Sequence, residues 1–185
     1  MRGECILIQG GVRSGKSQFA QELASQIGGP VLFVATGEAL DEEMRQRIED
    51  HKRARPSGWR TVEAPLSVGR RISEEIGSAE VVILDCLTLL ASNVIGECGD
   101  PEQVDAGLVS EKLAVEIEEL AACIEKVEAS FILVSNEVGM GLVPDNRLGR
   151  LYRDCLGKAN RELAHRADTV YFMVAGIPMR VKGGL

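Results

Sequence analysis

The sequence is poor in the residues that hold metal ions or cross-link a chain. It has two histidines, and its five cysteines are odd in number, scattered, and never arranged as C-x-x-C. This usage argues against a structural metal site and against a disulfide framework. We therefore expect reduced cysteines and a cytosolic protein.

Long hydrophobic runs and a strong positive charge are also missing. No apolar stretch approaches the length of a membrane span, and the apolar run near the N-terminus is too short for the core of a signal peptide. The net charge is −7, from 28 acidic and 21 basic residues, whereas a surface that follows a nucleic-acid backbone is usually basic. The sequence therefore indicates no membrane span and no nucleic-acid partner.

What the chain has is an alternation of apolar, β-branched runs with helical patterns, without a repeat, a low-complexity tract or a domain boundary. The runs are apolar on both pleat faces, which is typical of buried parallel strands. Strands are predicted over Cys5–Gln9, Val31–Ala35, Val81–Asp85, Phe131–Ser135 and Thr169–Ala175. The clearest helices are predicted to end at Gly28 and to span about Ser110–Lys126 and about Arg147–Arg166. We expect one α/β domain over residues 1–185, with a mostly parallel central sheet covered on both faces.

A phosphate-binding loop directly follows the first predicted strand. Residues 10–17 form a G-x-x-x-x-G-K-S pattern, Gly10-Gly11-Val12-Arg13-Ser14-Gly15-Lys16-Ser17. The glycines let the backbone wrap closely, and a helix then begins, so that backbone N–H groups point at an anion. We expect Lys16 to reach the β and γ oxygens of a nucleotide and the Ser17 hydroxyl to hold Mg²⁺.

An acidic residue, Asp85, ends the third predicted strand. In a P-loop protein this is the position of a carboxylate that directs Mg²⁺. The alternative is an ordinary strand-end Asp that caps the next turn. The P-loop favours the metal role.

The segment from Asp41 to Pro56 combines a histidine with clustered basic charge. Met44, Ile48 and His51 recur at helical spacing and share one face. A lone histidine on an apolar face is most often a core residue, so periodicity by itself does not favour catalysis. The basic residues that crowd this histidine suit a triphosphate neighbour, although they also suit a solvated helix end: Lys52, Arg53 and Arg55.

Weaker signals occur at three other places. Glu63 is either a surface residue or an acceptor for a nucleotide base. The polar segment Ser135–Gly141, which follows the fourth predicted strand and carries two glycines, is either a substrate-facing loop or a plain connection. His165 stands among charged residues near a helix end and is interpreted as solvated.

Together and in this order, these motifs resemble a known family, the bifunctional adenosylcobinamide kinase / adenosylcobinamide-phosphate guanylyltransferases of cobalamin biosynthesis. The resemblance runs from the P-loop to the C-terminus. Beyond the P-loop it rests on Asp41-Glu42-Glu43-Met44 with Arg47-Ile48, His51…Arg55-Pro56…Trp59-Arg60-Thr61, Asp85-Cys86-Leu87-Thr88, Ser135-Asn136-Glu137-Val138-Gly139-Met140-Gly141 with Val143-Pro144, Arg153-Asp154, Asn160 and Ala175-Gly176-Ile177-Pro178. One departure is Val12, where many members carry Ala, at a position that supplies only backbone.

The resemblance implies two reactions. The γ-phosphate of ATP or GTP is transferred to the aminopropanol hydroxyl of adenosylcobinamide. GMP from GTP is then transferred to the resulting phosphate through a GMP-histidine intermediate, and pyrophosphate is released. The resemblance also implies a P-loop (RecA-like) three-layer fold, and a homo-oligomer that can be a trimer.

The resemblance further implies which residues bind and react. The family's nucleophile maps onto His51, with Lys16 as the second catalytic residue. Mg²⁺ would be held by Ser17 and Asp85. The family's GTP contacts map onto the P-loop, Gly10 to Ser17, and onto Ala35, Thr36, Gly37, Lys52, Arg53, Ala54, Arg55, Glu63 and Asp85.

Two other functions explain part of the sequence. A P-loop kinase of another small metabolite would account for Lys16, Ser17 and Asp85 but would leave His51 without a role. A GTP-dependent switch protein would need N-K-x-D, which is absent, and its D-x-x-G would have to be Asp154–Gly157, which lies in a helical pattern.

Overall fold

The computed structural model describes residues 3–38, 42–53, 55–100 and 103–184, without the side chains of Glu43, Met44, Arg47, Asp50 and His51. Within these ranges the chain forms a sheet of seven strands and six helices. The strands are β1 (Cys5–Gly10), β2 (Val31–Ala35), β3 (Arg60–Glu63), β4 (Val81–Asp85), β5 (Ser130–Val134), β6 (Thr169–Val174) and β7 (Ile177–Lys182). The helices are α1 (Lys16–Ile27), α2 (Glu42–Arg53), α3 (Val68–Glu75), α4 (Leu87–Gly96), α5 (Ala106–Lys126) and α6 (Arg147–Arg166).

The strand order across the sheet is β3-β2-β4-β5-β1-β6-β7. Neighbouring strands are parallel except β6 and β7, which form an antiparallel hairpin. The carboxyl ends of the parallel strands therefore meet at one edge of the sheet, which is where such folds bind ligands. The predicted α/β fold with a mostly parallel sheet is confirmed.

Apolar side chains cover both faces of the sheet because consecutive strand residues point to opposite sides. On one face, residues such as Leu7 and Leu84 pack with helices α3 to α6. On the other face, residues such as Ile8 and Phe33 pack against helix α1. Three layers result, with the sheet in the middle.

The predicted strands are confirmed, with ends that differ by at most one residue. The strand predicted over Phe131–Ser135 spans Ser130–Val134, and the strand predicted to end at Ala175 ends at Val174. The helix predicted from about Ser110 begins at Ala106, because the Asp105 carboxylate caps it by accepting from the backbone N–H of two residues in its first turn.

Candidate active site

The backbone of the P-loop requires glycine at both ends. Gly10 has a φ of 153°, and a Cβ there would lie 2.7 Å from the Met173 carbonyl oxygen. Gly15 has a φ of 92° and precedes helix α1, which begins at Lys16 as predicted. A glycine-bounded loop after β1 and before a helix, the geometry expected of the predicted phosphate-binding loop, is thus present in the structure.

The C-terminal hairpin supports this loop. Its turn, Ala175-Gly176, connects β6 to β7, and the Gly176 N–H donates to the Ser14 carbonyl over 3.0 Å. A Cβ on Gly15 would lie 3.3 Å from the Gly176 Cα. The predicted phosphate-binding loop therefore packs against the turn between β6 and β7.

A cleft of about 470 Å³ opens at the carboxyl edge of the sheet, between the P-loop, the ends of β2, β4 and β5, and helix α2. Among the predicted site residues, those that line it are Val12, Arg13, Gly15, Lys16, Ser17, Ala35, Gly37, Arg55 and Asp85. The cleft is also lined by residues for which no individual role was expected, including Gln18, Ile48, Cys86 and Thr88. Asn136 lines it too, and belongs to the segment Ser135–Gly141, for which a substrate-facing loop was one of the two expectations.

Lys16 is buried at the base of this cleft, and its ammonium donates to the Gly11 carbonyl over 2.6 Å. Burial lowers the pKa of Lys16, while Cys86 and Asp85 oppose that shift. The side chain is thus held inside its own loop, within reach of any phosphate that the loop surrounds.

The residues expected to hold Mg²⁺ face one cleft. Ser17 and Asp85 both line it, and neither the hydroxyl nor the carboxylate forms a side-chain hydrogen bond within the described ranges. Two such oxygens fit Mg²⁺, which usually takes one or two protein oxygens and completes its shell with phosphates and water. Within the same ranges, no group of three or more His, Cys, Asp and Glu side chains could form an all-protein metal cage.

Arg55 connects this cleft to a second depression of about 450 Å³. Its guanidinium stacks on the Phe33 ring, 3.6 Å from the ring centroid, and also donates to Thr61 Oγ1 over 3.3 Å. Burial lowers the pKa of Arg55, and the carboxylates of Asp85 and Glu63 oppose the shift. The stacked cation is thus fixed between the two depressions.

Two further predicted contacts lie around the second depression. Lys52 and Glu63 both line it and form an ion pair with 2.7 Å between Nζ and Oε1. Arg53 instead pairs with Glu49 on its own helix, at 3.1 Å, and lines neither depression. The structure therefore brings Lys52 and Glu63 close to Arg55 but leaves Arg53 on an exposed face.

Thr36 is fully buried and holds the end of β4 rather than lining the cleft. Its hydroxyl accepts from the Cys86 N–H over 2.9 Å and donates to the Cys86 carbonyl over 2.7 Å. Its own N–H donates to the Asp85 carbonyl over 3.2 Å. The residue predicted as a ligand contact thus fixes the backbone beside Asp85.

Two predicted residues cannot be compared with the structure in full. Ala54 lies outside the described residues, and the side chain of His51 does so as well. The backbone of His51 belongs to helix α2, whose Ile48 lines the cleft one turn earlier. The other histidine, His165, is exposed, as expected.

None of the five cysteines, all of which lie in the described ranges, forms a disulfide. Within the described ranges, no helix combines the length and the hydropathy needed to cross a membrane.

A glycine-rich loop between a strand and a helix, with a buried lysine, a half-buried arginine and a carboxylate lining the same cleft, defines a P-loop protein of the nucleotide-using class. Comparison with known families identifies the particular branch. Residues 6–181 match the CobU family, described as cobinamide kinase / cobinamide phosphate guanyltransferase, and the chain belongs to this family.

Curated relatives agree with this assignment over nearly their whole length. The chain is 41% identical over 180 residues to the bifunctional adenosylcobalamin biosynthesis protein CobU of Escherichia coli (strain K12), covering 96% of this chain and 99% of that one. It is 40% identical over 180 residues to the protein of the same name from Salmonella typhimurium, with the same coverage. It is 41% identical over 177 residues to the bifunctional adenosylcobalamin biosynthesis protein CobP of Pseudomonas aeruginosa, covering 96% of each chain.

Proposed function

We propose that this chain phosphorylates adenosylcobinamide with ATP or GTP and then transfers GMP from GTP to the phosphate it has made. Adenosylcobinamide-GDP and pyrophosphate are the products of the second step. The observation that carries the proposal is the single cleft shared by Lys16, Asp85 and Arg55 in a chain that belongs to the CobU family. All substrates are then small molecules, and both steps use one nucleotide site.

In this proposal the P-loop holds the β- and γ-phosphates in both reactions. Its N–H groups and the Lys16 ammonium offset the charge of the γ-phosphoryl group in the first step and of the leaving pyrophosphate in the second. Ser17 and Asp85 would hold Mg²⁺, which supplies further positive charge to the phosphates when bound. Arg55, stacked on Phe33, contributes a fixed cation at the other end of the cleft.

His51 is proposed as the residue that carries GMP. A neutral imidazole is nucleophilic at pH 7, so that its nitrogen attacks the α-phosphorus of GTP. An N–P bond forms, the bond to the bridging oxygen breaks, and pyrophosphate leaves with that electron pair. The phosphate of the corrinoid then attacks the same phosphorus and releases the imidazole. The position of His51 in helix α2, between Ile48 and Arg55 of the cleft lining, supports this role.

Labelling with GTP that carries a radioactive α-phosphate tests this function. The wild type should acquire a label that is labile in acid and stable in base, as a phosphoramidate is. His51→Ala should lose the label yet keep most kinase turnover, because the γ-phosphate goes directly to the substrate hydroxyl. His165→Ala is the matched control and should label normally, whereas Lys16→Ala should impair both reactions.

Other results of this experiment contradict the proposal in different ways. A label that persists in His51→Ala would place the nucleophile elsewhere and leave the kinase half standing. A wild type that never acquires label but phosphorylates its substrate would be a P-loop kinase without guanylyl transfer. Nucleotide-dependent partner binding without any turnover would favour a switch protein.

We also propose that the chain works as a single domain in the cytosol and assembles as a homo-oligomer. The five free cysteines support a reducing compartment. The edge strand β7 supports assembly, because it exposes Ile177, Met179 and Val181, and exposed apolar edge strands tend to be covered. Sedimentation of the full chain tests the oligomeric state, and a monomer at micromolar concentration would contradict it.

A further inference from the structure

Asn136 is a lining residue of the cleft to which the proposed reactions give no role. It lies two residues after the end of β5, and β5 lies between β4, which ends in Asp85, and β1, which leads into the P-loop. Asn136 lines the same cleft as Lys16 and Asp85. This position at the carboxyl edge faces the region where the phosphates would lie.

Hydrogen bonds from two other elements fix the backbone of Asn136. Its N–H donates to Thr88 Oγ1 over 3.0 Å, and its carbonyl accepts from Asn160 Nδ2 over 3.0 Å. The Asn160 amide is itself oriented by the buried Ser135 hydroxyl, which donates to Asn160 Oδ1 over 2.6 Å. Asn136 is therefore held between helices α4 and α6.

A phenol completes this frame. The Tyr152 hydroxyl donates to the Thr88 carbonyl over 3.1 Å, and burial raises the pKa of Tyr152 to about 12. The phenol therefore keeps its proton throughout the physiological pH range. Thr88 is thus held from helix α6 while its own hydroxyl holds Asn136.

The side-chain amide of Asn136, by contrast, makes no hydrogen bond to any residue in the described ranges. Asn136 is half-buried and lines the cleft, and its amide offers one acceptor and two donors. The residues around the proposed phosphate site are charged, namely Lys16, Arg55 and Asp85. A neutral amide suits a different group, one that needs an acceptor in one state and a donor in another.

The acceptor substrate of the two proposed reactions carries a reacting group of this kind. In the first reaction it presents a hydroxyl, which donates a hydrogen bond. In the second it presents a phosphate, which accepts. The amide oxygen serves the first and the amide N–H serves the second after rotation about χ2.

The segment that follows Asn136 also suits the acceptor better than a nucleotide. The Glu137 N–H donates to the Gly10 carbonyl over 3.0 Å, which fixes the start of the segment beside the P-loop. Apolar side chains then reach the surface: Met140, Leu142 and Val143 are 81%, 95% and 65% exposed. A large corrin ring carries many methyl groups that such a surface can cover.

We propose that Asn136 contacts the corrinoid substrate and orients its reacting oxygen in both steps, with Thr88 as the residue that positions Asn136. This inference rests on the proposed function. It assigns the acceptor side of the cleft to the end of β5, beside the P-loop that holds the nucleotide in the proposed function.

The two half-reactions separate an acceptor contact from a nucleotide contact. Asn136→Ala should acquire the GMP label from GTP at the wild-type rate when no corrinoid is present. Its transfer of the label to adenosylcobinamide phosphate should be roughly tenfold to a hundredfold slower, because one oriented hydrogen bond is lost. The kcat/KM of the kinase step for the corrinoid should fall similarly, while KM for the nucleotide should not change.

Three further variants sharpen the test. Asn136→Asp should impair transfer to the phosphate more than phosphorylation of the hydroxyl, since a carboxylate accepts from a hydroxyl but repels a phosphate. Thr88→Val should reproduce the Asn136→Ala profile, and Thr88→Ser should restore the wild-type rates. Gln103→Ala removes an exposed amide outside the cleft and should leave both steps unchanged.

The possible failures are distinguishable. If the wild type labels and Asn136→Ala discharges its label at the wild-type rate, Asn136 is not an acceptor contact. If Asn136→Ala loses self-labelling with an unchanged melting temperature, the amide holds the nucleotide and the inference is overturned. A wild type that neither labels nor phosphorylates corrinoid would overturn the proposed function together with this inference.

Discussion

Among single residues, Asp85 supplies a negative charge close to the two cations that line the cleft, Lys16 and Arg55. Burial lowers the pKa of both Lys16 and Arg55, and the Asp85 carboxylate opposes that shift in each. It lines the cleft together with the Ser17 hydroxyl. A residue in this position can balance two cations and still bind a third, because a carboxylate has lone pairs for several partners.

Asp85→Asn should therefore raise the Mg²⁺ concentration needed for half-maximal turnover by about tenfold or more. The amide keeps the size of the side chain but loses the charge that attracts the ion. Titration of kinase activity with Mg²⁺ at saturating nucleotide measures the shift. Glu111→Gln, on the exposed face of α5, removes the same charge away from the cleft and should not shift the titration. A coinciding curve for Asp85→Asn would show that Asp85 is not a ligand.

Cys86 predicts a pH dependence of stability. Part of the residue lines the cleft, but its thiol is desolvated, and this burial, with the Asp85 charge, raises the pKa of the thiol from 9.0 to about 11. The thiol ionises at a lower pH in the unfolded chain than in the folded one. The contribution of Cys86 to the free energy of unfolding is therefore fully present below pH 9 and is lost as the pH rises from 9 to 11. The loss amounts to about 2–3 kcal/mol for a shift of this size.

Urea unfolding of wild type and Cys86→Ala at pH 8.5 and at pH 10.5 measures this contribution. The wild type should lose more stability between the two pH values than the variant does. Cys98→Ala, which removes a partly exposed thiol after α4, should behave as the wild type. Equal losses in all three proteins would mean that Cys86 ionises alike in the folded and unfolded chain.

Between elements, the contact of the P-loop with the β6–β7 turn supports the loop that is proposed to bind the nucleotide. Gly15→Ala places a Cβ at a φ of 92° and brings it to 3.3 Å from the Gly176 Cα. The positive φ costs about 1–2 kcal/mol for a residue with a side chain. The close approach adds a displacement of the loop, so that GTP binding should weaken at least tenfold.

Gly99→Ala provides the matched control. Gly99 also has a positive φ, 104°, but a Cβ there would meet nothing within 4 Å. Both variants should lose unfolding free energy in denaturant, but calorimetric titration with GTP should be weakened only in Gly15→Ala. Wild-type affinity in Gly15→Ala would show that the turn does not constrain the loop.

Whether an element could be predicted depended on where it lies in the sheet. The strands β1, β2, β4, β5 and β6 are buried on both faces for most of their length, so their sequences are continuous apolar runs. The edge strands, β3 and β7, were not predicted from the sequence. In β3 all residues but Val62 are exposed, and in β7 every residue is exposed, so neither has the apolar run that marks an inner strand.

For the molecule as a whole, the residues that could be predicted are those whose role is evident from their neighbours in the sequence. The P-loop occupies eight consecutive positions, and Asp85 is identified by the strand it ends. Thr36, predicted as a ligand contact, holds Cys86 across 50 positions of sequence. The frame around Asn136 joins residues 24 and 48 positions apart, and no spacing rule connects such residues before the sheet order is known.

The strand order also determines when the active site can exist during synthesis. Strand β1 pairs with β5 and β6, which follow it much later in the chain. The turn that holds the P-loop, Ala175-Gly176, leaves the ribosome after both of these strands. A nascent chain that has its P-loop residues therefore cannot complete the contacts of the loop until β5, β6 and the following hairpin turn have been translated. Nucleotide can stabilise the finished protein but not a partly synthesised one, because the ligand has nothing to bind until the last hairpin closes.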